Sequence, residues 1–249
     1  MSFEKCNRVV SIHQPNYLPW LGFISKIACS DVYIILDNVK YNKRTFHHRS
    51  RYSSDAGLKW LSLSVQSKGT WEGGTLINQV KMASDQATPR HFKTLWHRYG
   101  KSPGWRLIAD RLEAVLNREY EYMIDASIAT IMLTLDVFRV RPDIKLASSI
   151  NAAGTKGDLM LNLTKAVKGD FYLSGSGARD YLDQKEFLNM KIGVSFQDFA
   201  HPSWVQRTNL PFQESAFALE WYLEEPETSV QDFHKHMYAQ KKQYPRCLK

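Results

Sequence analysis

Residues 8–37 read RVVSIHQPNYLPWLGFISKIACSDVYIILD, and their order decides the fold. Arg8 to His13 carries β-branched residues and predicts a short buried strand. Pro15 and Pro19 in the next loop forbid a ladder or a helix interior and mark a rigid turn. Leu21, Ile24, Ile27 and Ala28 recur at helical spacing. Asp31 to Asp37 then forms a second strand. Strand, loop, helix and strand within about thirty residues make a βαβ unit, which sets the two strands parallel.

Working outward, Leu58 to Val65 has apolar residues on both faces and predicts a strand, and Ile77 to Met82 a weaker one. From about residue 88 the pattern turns helical: His91–Tyr99, Trp105–Leu116 and Tyr122–Phe138. Ile144–Ser148 predicts a strand, Gly157–Val167 an amphipathic helix, and Asp170–Ser174 another strand. After Gly175-Ser-Gly177 come a short helix, Ala178–Asp183, a longer one, Gln184–Met190, and a strand, Ile192–Phe196. This alternation gives an α/β protein with a mostly parallel sheet flanked by helices. We expect one domain over residues 1–249, with residues 88–138 a helical insertion or subdomain.

The chain has 249 residues, 43% of them hydrophobic and 23% charged, which fits a globular protein and not a collagen-like or disordered one. No apolar run approaches the roughly 18 residues of a membrane span. The stretch MSFEKCNRVV has no apolar leader region, so a cytoplasmic location is expected. Three cysteines, Cys6, Cys29 and Cys247, cannot all pair and form no CxxC, so reduced thiols are expected and zinc is not.

Charge is unevenly spread. The net charge is +8, with a pI near 9.3. Between Lys40 and Trp60 six basic residues (Lys40, Lys43, Arg44, Arg49, Arg51, Lys59) face one acid, Asp55. Tyr41, Phe46, His47, His48, Tyr52 and Trp60 are interleaved with them. Such a stretch can stack and neutralise nucleic acid or clamp one nucleotide diphosphate. No standard nucleic-acid motif is present, which favours the small phosphate ligand. The tail HKHMYAQKKQYPRCLK is read as a solvated terminal segment with a basic face.

Open α/β sheets bind ligands at the carboxyl ends of their parallel strands. That rule selects three segments. His13 ends the first strand, where an imidazole can serve as general base, or simply satisfy backbone groups. Gln14, Asn16 and Tyr17 follow in the same loop, and Gly22 opens the helix, where free N–H groups can hold an anion. Asp37 ends the second strand, able to accept a proton, bind sugar hydroxyls or form a structural ion pair with Arg44. Lys43, Arg44, Arg49 and Arg51 are the phosphate candidates, since guanidinium pairs with phosphate through two bonds. Ser174, Gly175 and Ser176 form a glycine loop between strand and helix, suited to a phosphate or to an ordinary tight turn. It is neither a Walker A loop nor a full G-x-G-x-x-G. His47 and His48 are adjacent and point to opposite sides of a strand, against a shared metal.

IHQPNYLPWLGF, DVYIILDNVKYNKR and the Arg49–Arg51 pair resemble the N-terminal signature of the WbqC-like family. GDFYLSGSGARDYLD resembles that family's second block and FQDFAHPSWVQ its third, so the resemblance runs from about Arg8 to Glu225. The usual R-N-R stands here as Arg49-Ser50-Arg51, and the match thins between Phe212 and Glu225. The family is associated with O-antigen and other surface-polysaccharide gene clusters. The resemblance implies an enzyme of lipopolysaccharide biosynthesis acting on a nucleotide sugar. The strand–proline loop–helix–strand opening is also shared with nucleotidylyl transferases, but their H-x-G-H motif is missing, Tyr17-Leu-Pro-Trp20 standing in its place.

The resulting expectation is a transferase moving an acyl or aminoacyl group to the amine of a nucleotide-linked amino sugar. His13 or Asp37 is the base, and Gln14, Asn16, Tyr17, Lys43, Arg44, Arg49, Arg51, Ser174, Gly175 and Ser176 bind substrate. No permanently bound cofactor and no metal is expected. The co-substrate is an acyl thioester of CoA or of an acidic carrier protein, drawn by the basic surface. The alternatives are an ATP-dependent amide ligase or nucleotidyl transferase, and a non-catalytic module binding nucleotide sugar or RNA.

Overall fold

The computed structural model describes residues 8–66, 74–83, 87–179 and 182–244. Seven strands lie along them: β1 Val9–His13, β2 Val32–Ile35, β3 Arg49–Tyr52, β4 Lys59–Ser62, β5 Asp143–Leu146, β6 Phe171–Ser174 and β7 Gly193–Phe196. Five form one sheet in the order β5-β2-β1-β6-β7, every pair parallel. The chain walks from β1 to β2 to β5 on one side. It then returns to the other side of β1 as β6. The switch point therefore lies between the carboxyl ends of β1 and β6, where open sheets leave a crevice.

The eight helices are α1 Leu21–Ala28, α2 Ala87–Tyr99, α3 Trp105–Leu116, α4 Met123–Val137, α5 Lys156–Ala166, α6 Gln184–Asn189, α7 Leu219–Glu224 and α8 Pro226–Gln243. Strand residues alternate between the two sheet faces. Val9, Tyr33, Ile35, Phe171 and Leu173 pack towards α1, α2–α4 and α7 in one core. Val10, Ile12, Val32, Ile34 and Tyr172 pack towards Leu159, Met160 and Leu163 of α5 and Phe187 of α6 in the other. The helical block thus shares its core with the sheet's first face.

That block also fixes the loop after β1. Leu18 lies between the two prolines at φ +41°, a left-handed conformation disfavoured for a branched side chain. Two hydrogen bonds hold it there. Its N–H donates to Thr130 Oγ1 of α4 at 2.9 Å, and Ser50 Oγ of β3 donates to its carbonyl at 2.5 Å. Trp20 folds over Gly22, where an added Cβ would stand 2.2 Å from the indole ring. Glycine is there for close approach.

Several expectations need correction. Arg49–Tyr52 is a strand that apolar periodicity could not announce. It pairs antiparallel with β4 in a separate ribbon. Ile77–Gln79 is a 3-10 turn rather than a strand, because the Ile77 and Asn78 amides donate to the carbonyls of Val39 and Asp37 and bend the chain. The short helix expected at Ala178–Asp183 is a 3-10 turn over Ser176–Ala178; residues 180–181 lie outside the described residues. The basic tail is not simply solvated. Helix α8 buries Phe233, Met237 and Gln240, while Lys235 and Lys241 stay on its accessible side. Among the described residues no helix is long and apolar enough to cross a membrane.

Two buried charged residues conflict with simple burial economics. Glu220 of α7 is fully buried and accepts from Tyr99 Oη at 2.5 Å, Ser53 N–H at 3.0 Å and Gln206 Nε2 at 2.8 Å. It joins α2, the end of β3 and α7. Glu220→Ala leaves those donors unpaired and should cost about 3 kcal/mol in urea unfolding, several times the median exposed substitution.

Lys26 of α1 is 2% exposed, and burial pushes its pKa down from 10.5 to about 7. Between pH 7 and 10.5 the unfolded chain holds a proton that the folded protein has released, so stability rises with pH across that window. Lys26→Met should therefore raise the melting temperature by several degrees at pH 6. The gain should shrink towards pH 10 in paired thermal melts.

Candidate functional site

The carboxyl ends of β1, β2 and β6 open into a cavity of about 710 Å³. Its floor is apolar: Ile12, Leu36, Leu76, Leu159, Met160 and Tyr172. Its polar groups come from several places in the chain. His13 and Gln14 come from the β1 end, Asn38, Lys40 and Asn42 from the loop after β2, and Ser174 and Gly175 from the β6 end. Thr155 and Lys156 come from the start of α5, and Lys26 from α1. Among the described residues no carboxylate lines this cavity. An apolar cleft with a few placed polar groups is what a small-molecule site requires, and its three described lysines favour an anion.

The start of α5 adds to this. Gly154 sits at φ +112° and Lys156 at φ +50°, so the chain turns sharply into the helix. A Cβ on Gly154 would stand 3.0 Å from Asp158 Cβ. The turn brings the positive end of an eleven-residue helix to the cavity wall. Asn38 Oδ1 is buried without a hydrogen-bond partner, an acceptor open to a donor on a ligand.

A second hollow of about 340 Å³ lies alongside. It shares His13, Lys26, Gly175 and Gly177 with the first, and adds Trp20, Gly22, Ser176, Arg179, Asp198 and Phe199. Gln197 closes it onto α1, donating from Nε2 to the Gly22 carbonyl at 2.9 Å. Arg179 stacks over Phe196 at 4.8 Å. The two hollows thus meet at His13, Lys26 and the glycine loop.

At that junction His13 Nδ1 lies 2.8 Å from the Gln14 carbonyl. A carbonyl only accepts, so Nδ1 carries the proton and Nε2 the lone pair. The ring stands edge-on to Phe23 at 5.2 Å. Burial, then the Lys26 charge, push its pKa down to about 3, so it is neutral at pH 7. Lys26 donates to the Ile12 carbonyl at 3.2 Å. That bond uses one of three ammonium donors. Gly175 leaves room over it: an added Cβ would stand 3.7 Å from Nζ.

The other expected site residues are dispersed. Gln14 Oε1 accepts from His47 Nε2 at 2.7 Å, tying the cavity to the loop before β3. Asn16 is buried, and Tyr17 is fully buried with its hydroxyl 2.8 Å from His91 Nδ1; neither lines a hollow. Asp37 accepts from Ser148 N–H at 2.8 Å, Ser148 Oγ at 2.5 Å and Asn78 Nδ2 at 3.3 Å. It faces a different hollow, with Asn78, Gln79 and Ser148, and its geometry is that of a clamp on the end of β2.

Lys43, Arg44, Arg49 and Arg51 do not line the cavity. Arg49 and Arg51 lie two apart on β3 and place their guanidinium carbons 3.9 Å and 4.4 Å from the Trp60 ring centre. Arg51 is also 5.5 Å from the Phe46 ring, and Arg49 donates to the Arg44 carbonyl. Arg49 and Arg51 form a basic aromatic platform with Trp60 and Phe46, joined in sequence to the loop that carries Lys40 and Asn42. Lys26 and Lys156, which do line the cavity, are absent from the sequence expectations. Lys26 had one visible signal: it is the only charged residue in a helix flanked by two apolar strands. Among the described residues no three His, Cys, Asp or Glu side chains are grouped to hold a metal ion.

Comparison with known proteins places these features in a family. Residues 14–230 match the WbqC-like protein family, a span that includes His13's neighbour Gln14, Lys26, the lysines of the cavity and the glycine loop. Over 192 residues the chain is 28% identical to a protein of Mycobacterium tuberculosis described as the uncharacterized protein Rv1507c, covering 76% of this chain and 82% of that one. No solved structure matches. With most of its length matched, the chain belongs to the WbqC-like protein family.

Proposed function

We propose that this protein is a cytoplasmic two-substrate transferase of surface-polysaccharide biosynthesis, moving an acyl or aminoacyl group to the amine of a nucleotide-linked amino sugar. The observation that carries this reading is the pair of adjoining hollows that meet at His13, Lys26 and Gly175. A transfer reaction needs donor and acceptor bound side by side with their reacting atoms in contact. The larger hollow suits the nucleotide sugar. Lys40, Lys156 and the α5 start answer a diphosphate, and the apolar floor answers base and sugar faces. The smaller hollow, with Arg179 and Phe199, suits the donor's acyl end. The Arg44–Arg49–Arg51 platform offers an acidic carrier protein or the phosphates of CoA a landing surface.

His13 presents a neutral Nε2 that accepts a hydrogen bond and orients the acceptor amine or a sugar hydroxyl. Gln14, held by His47, sets the same wall. The surface-polysaccharide setting that the family resemblance implies supports the sugar class, and the two adjoining hollows support two-substrate chemistry.

A thermal-shift screen tests the reading, because a ligand that binds only the folded state raises the melting temperature by mass action. UDP- or dTDP-linked amino sugars and acetyl-CoA should each shift the melt, and Lys40→Ala and Lys156→Ala should each weaken nucleotide-sugar binding about tenfold. A shift with ATP, with AMP or pyrophosphate released in the presence of the sugar, replaces transfer by ligation. A shift with short RNA alone overturns the reading.

A further inference from the structure

We propose that Lys26 is the general base of this site, standing at the passage between the two hollows. The inference rests on the two-substrate reading above and names the residue that moves the proton. Geometry leads to it first. Lys26 lines both hollows, is 2% exposed, and sits on α1 between the two strands that frame the βαβ unit. Its one hydrogen bond, to the Ile12 carbonyl, anchors the amine and turns the rest of it towards the passage. The glycine loop borders the amine directly: a Cβ on Gly175 would stand 3.7 Å from Nζ, in ordinary contact with it.

The alternatives on the page are poor bases. His13 is so weakly basic, near pKa 3, that it gains a proton from an amine only at great cost. Asp37 has its oxygens occupied by three donors and faces another hollow. Among the described residues, the charged and titratable groups that line the two hollows with Lys26 are His13 from β1, Lys40 after β2, Lys156 at the start of α5, Tyr172 of β6, Arg179 after β6 and Asp198 after β7. Burial is the dominant influence on the Lys26 proton and brings its pKa to about 7, where a general base is most effective at neutral pH.

The step balances without a redox partner. The sugar amine attacks the thioester carbonyl carbon, forming the C–N bond. The amine proton passes to Lys26 Nζ. The C–S bond breaks, and Lys26 returns the proton to the departing thiolate. The products are an amide and a free thiol.

Two measurements test the proposal on the full chain. The first is trace labelling with acetic anhydride across pH 5–11, read residue by residue by mass spectrometry. Lys26 should become reactive with a midpoint near 7, while surface lysines follow about 10.4, and a UDP-linked amino sugar should protect it. A Lys26 midpoint near 10 overturns the proposal. The second is thiol release from acetyl-CoA with UDP- or dTDP-linked amino sugars, for wild type, Lys26→Met and Lys26→Arg, each first shown to melt cooperatively. Both variants should lose at least about a hundredfold in kcat and keep KM within threefold. They should also lose the rise in kcat through pH 7. A Lys26→Met protein with wild-type kcat overturns the proposal. If wild type releases no thiol with any pair, the transfer reading and the assignment of Lys26 as its base fall together, whereas thiol release by wild type that is unchanged in Lys26→Met overturns the assignment of Lys26 alone.

Discussion

A lysine amine buried in the wall shared by two hollows, with no ion-pairing carboxylate among the described residues, is the feature the site is arranged around. Lys26 sits on a helix whose neighbours Phe23, Ile24 and Ile27 are core residues. A leucine or methionine in its place would satisfy packing better. Natural proteins depart from the most stable choice mainly where function demands it. The same helix is pinned from three directions. Gln197 reaches it from the β7 end, Gln240 of α8 accepts from Ser25, and Trp20 folds over Gly22. A lysine held this tightly cannot escape to solvent, so its amine must respond to whatever occupies the adjoining hollows.

The sheet topology explains why the hollows lie where they do. Once β1 is paired with β2 on one side and β6 on the other, the return of the chain leaves their carboxyl ends uncovered. The helical block then shapes the rim instead of the floor. Thr130 of α4 and Ser50 of β3 fix Leu18 in its left-handed conformation. Ser127 of α4 donates to the His47 carbonyl. In this way a block far along the chain sets the position of Gln14 and His13. The basic ribbon β3–β4 places its arginines over Trp60, and they do not line the cavity.

Much of this was legible in the residues alone, for definite reasons. The βαβ unit, the parallel sheet and the grouping of His13, Gln14, Ser174 and Gly175 follow from apolar periodicity and the carboxyl-end rule. Both depend on local pattern. Asp37 was misplaced by the same rule, because its partners Ser148 and Asn78 lie 111 and 41 residues away and no local pattern announces them. The strand Arg49–Tyr52 was invisible because alternating Arg and Ser carries no apolar signal, so its arginines were assigned to the cavity rather than to a ribbon. Lys26 gives little local sign of its role, since a lysine in a short helix is ordinarily solvent-facing. Only the burial of α1 on all sides, a tertiary fact, reverses that reading.

The central claim is that a neutral amine stands where two substrates meet. Heteronuclear NMR titration of the Lys26 side-chain carbon and nitrogen, in protein carrying labelled lysine, measures this most directly. The account predicts a midpoint near pH 7 in the free protein, moving upward when UDP fills the larger cavity and brings negative charge beside it. A midpoint near the ordinary lysine value of about 10.4, unmoved by UDP, would contradict it.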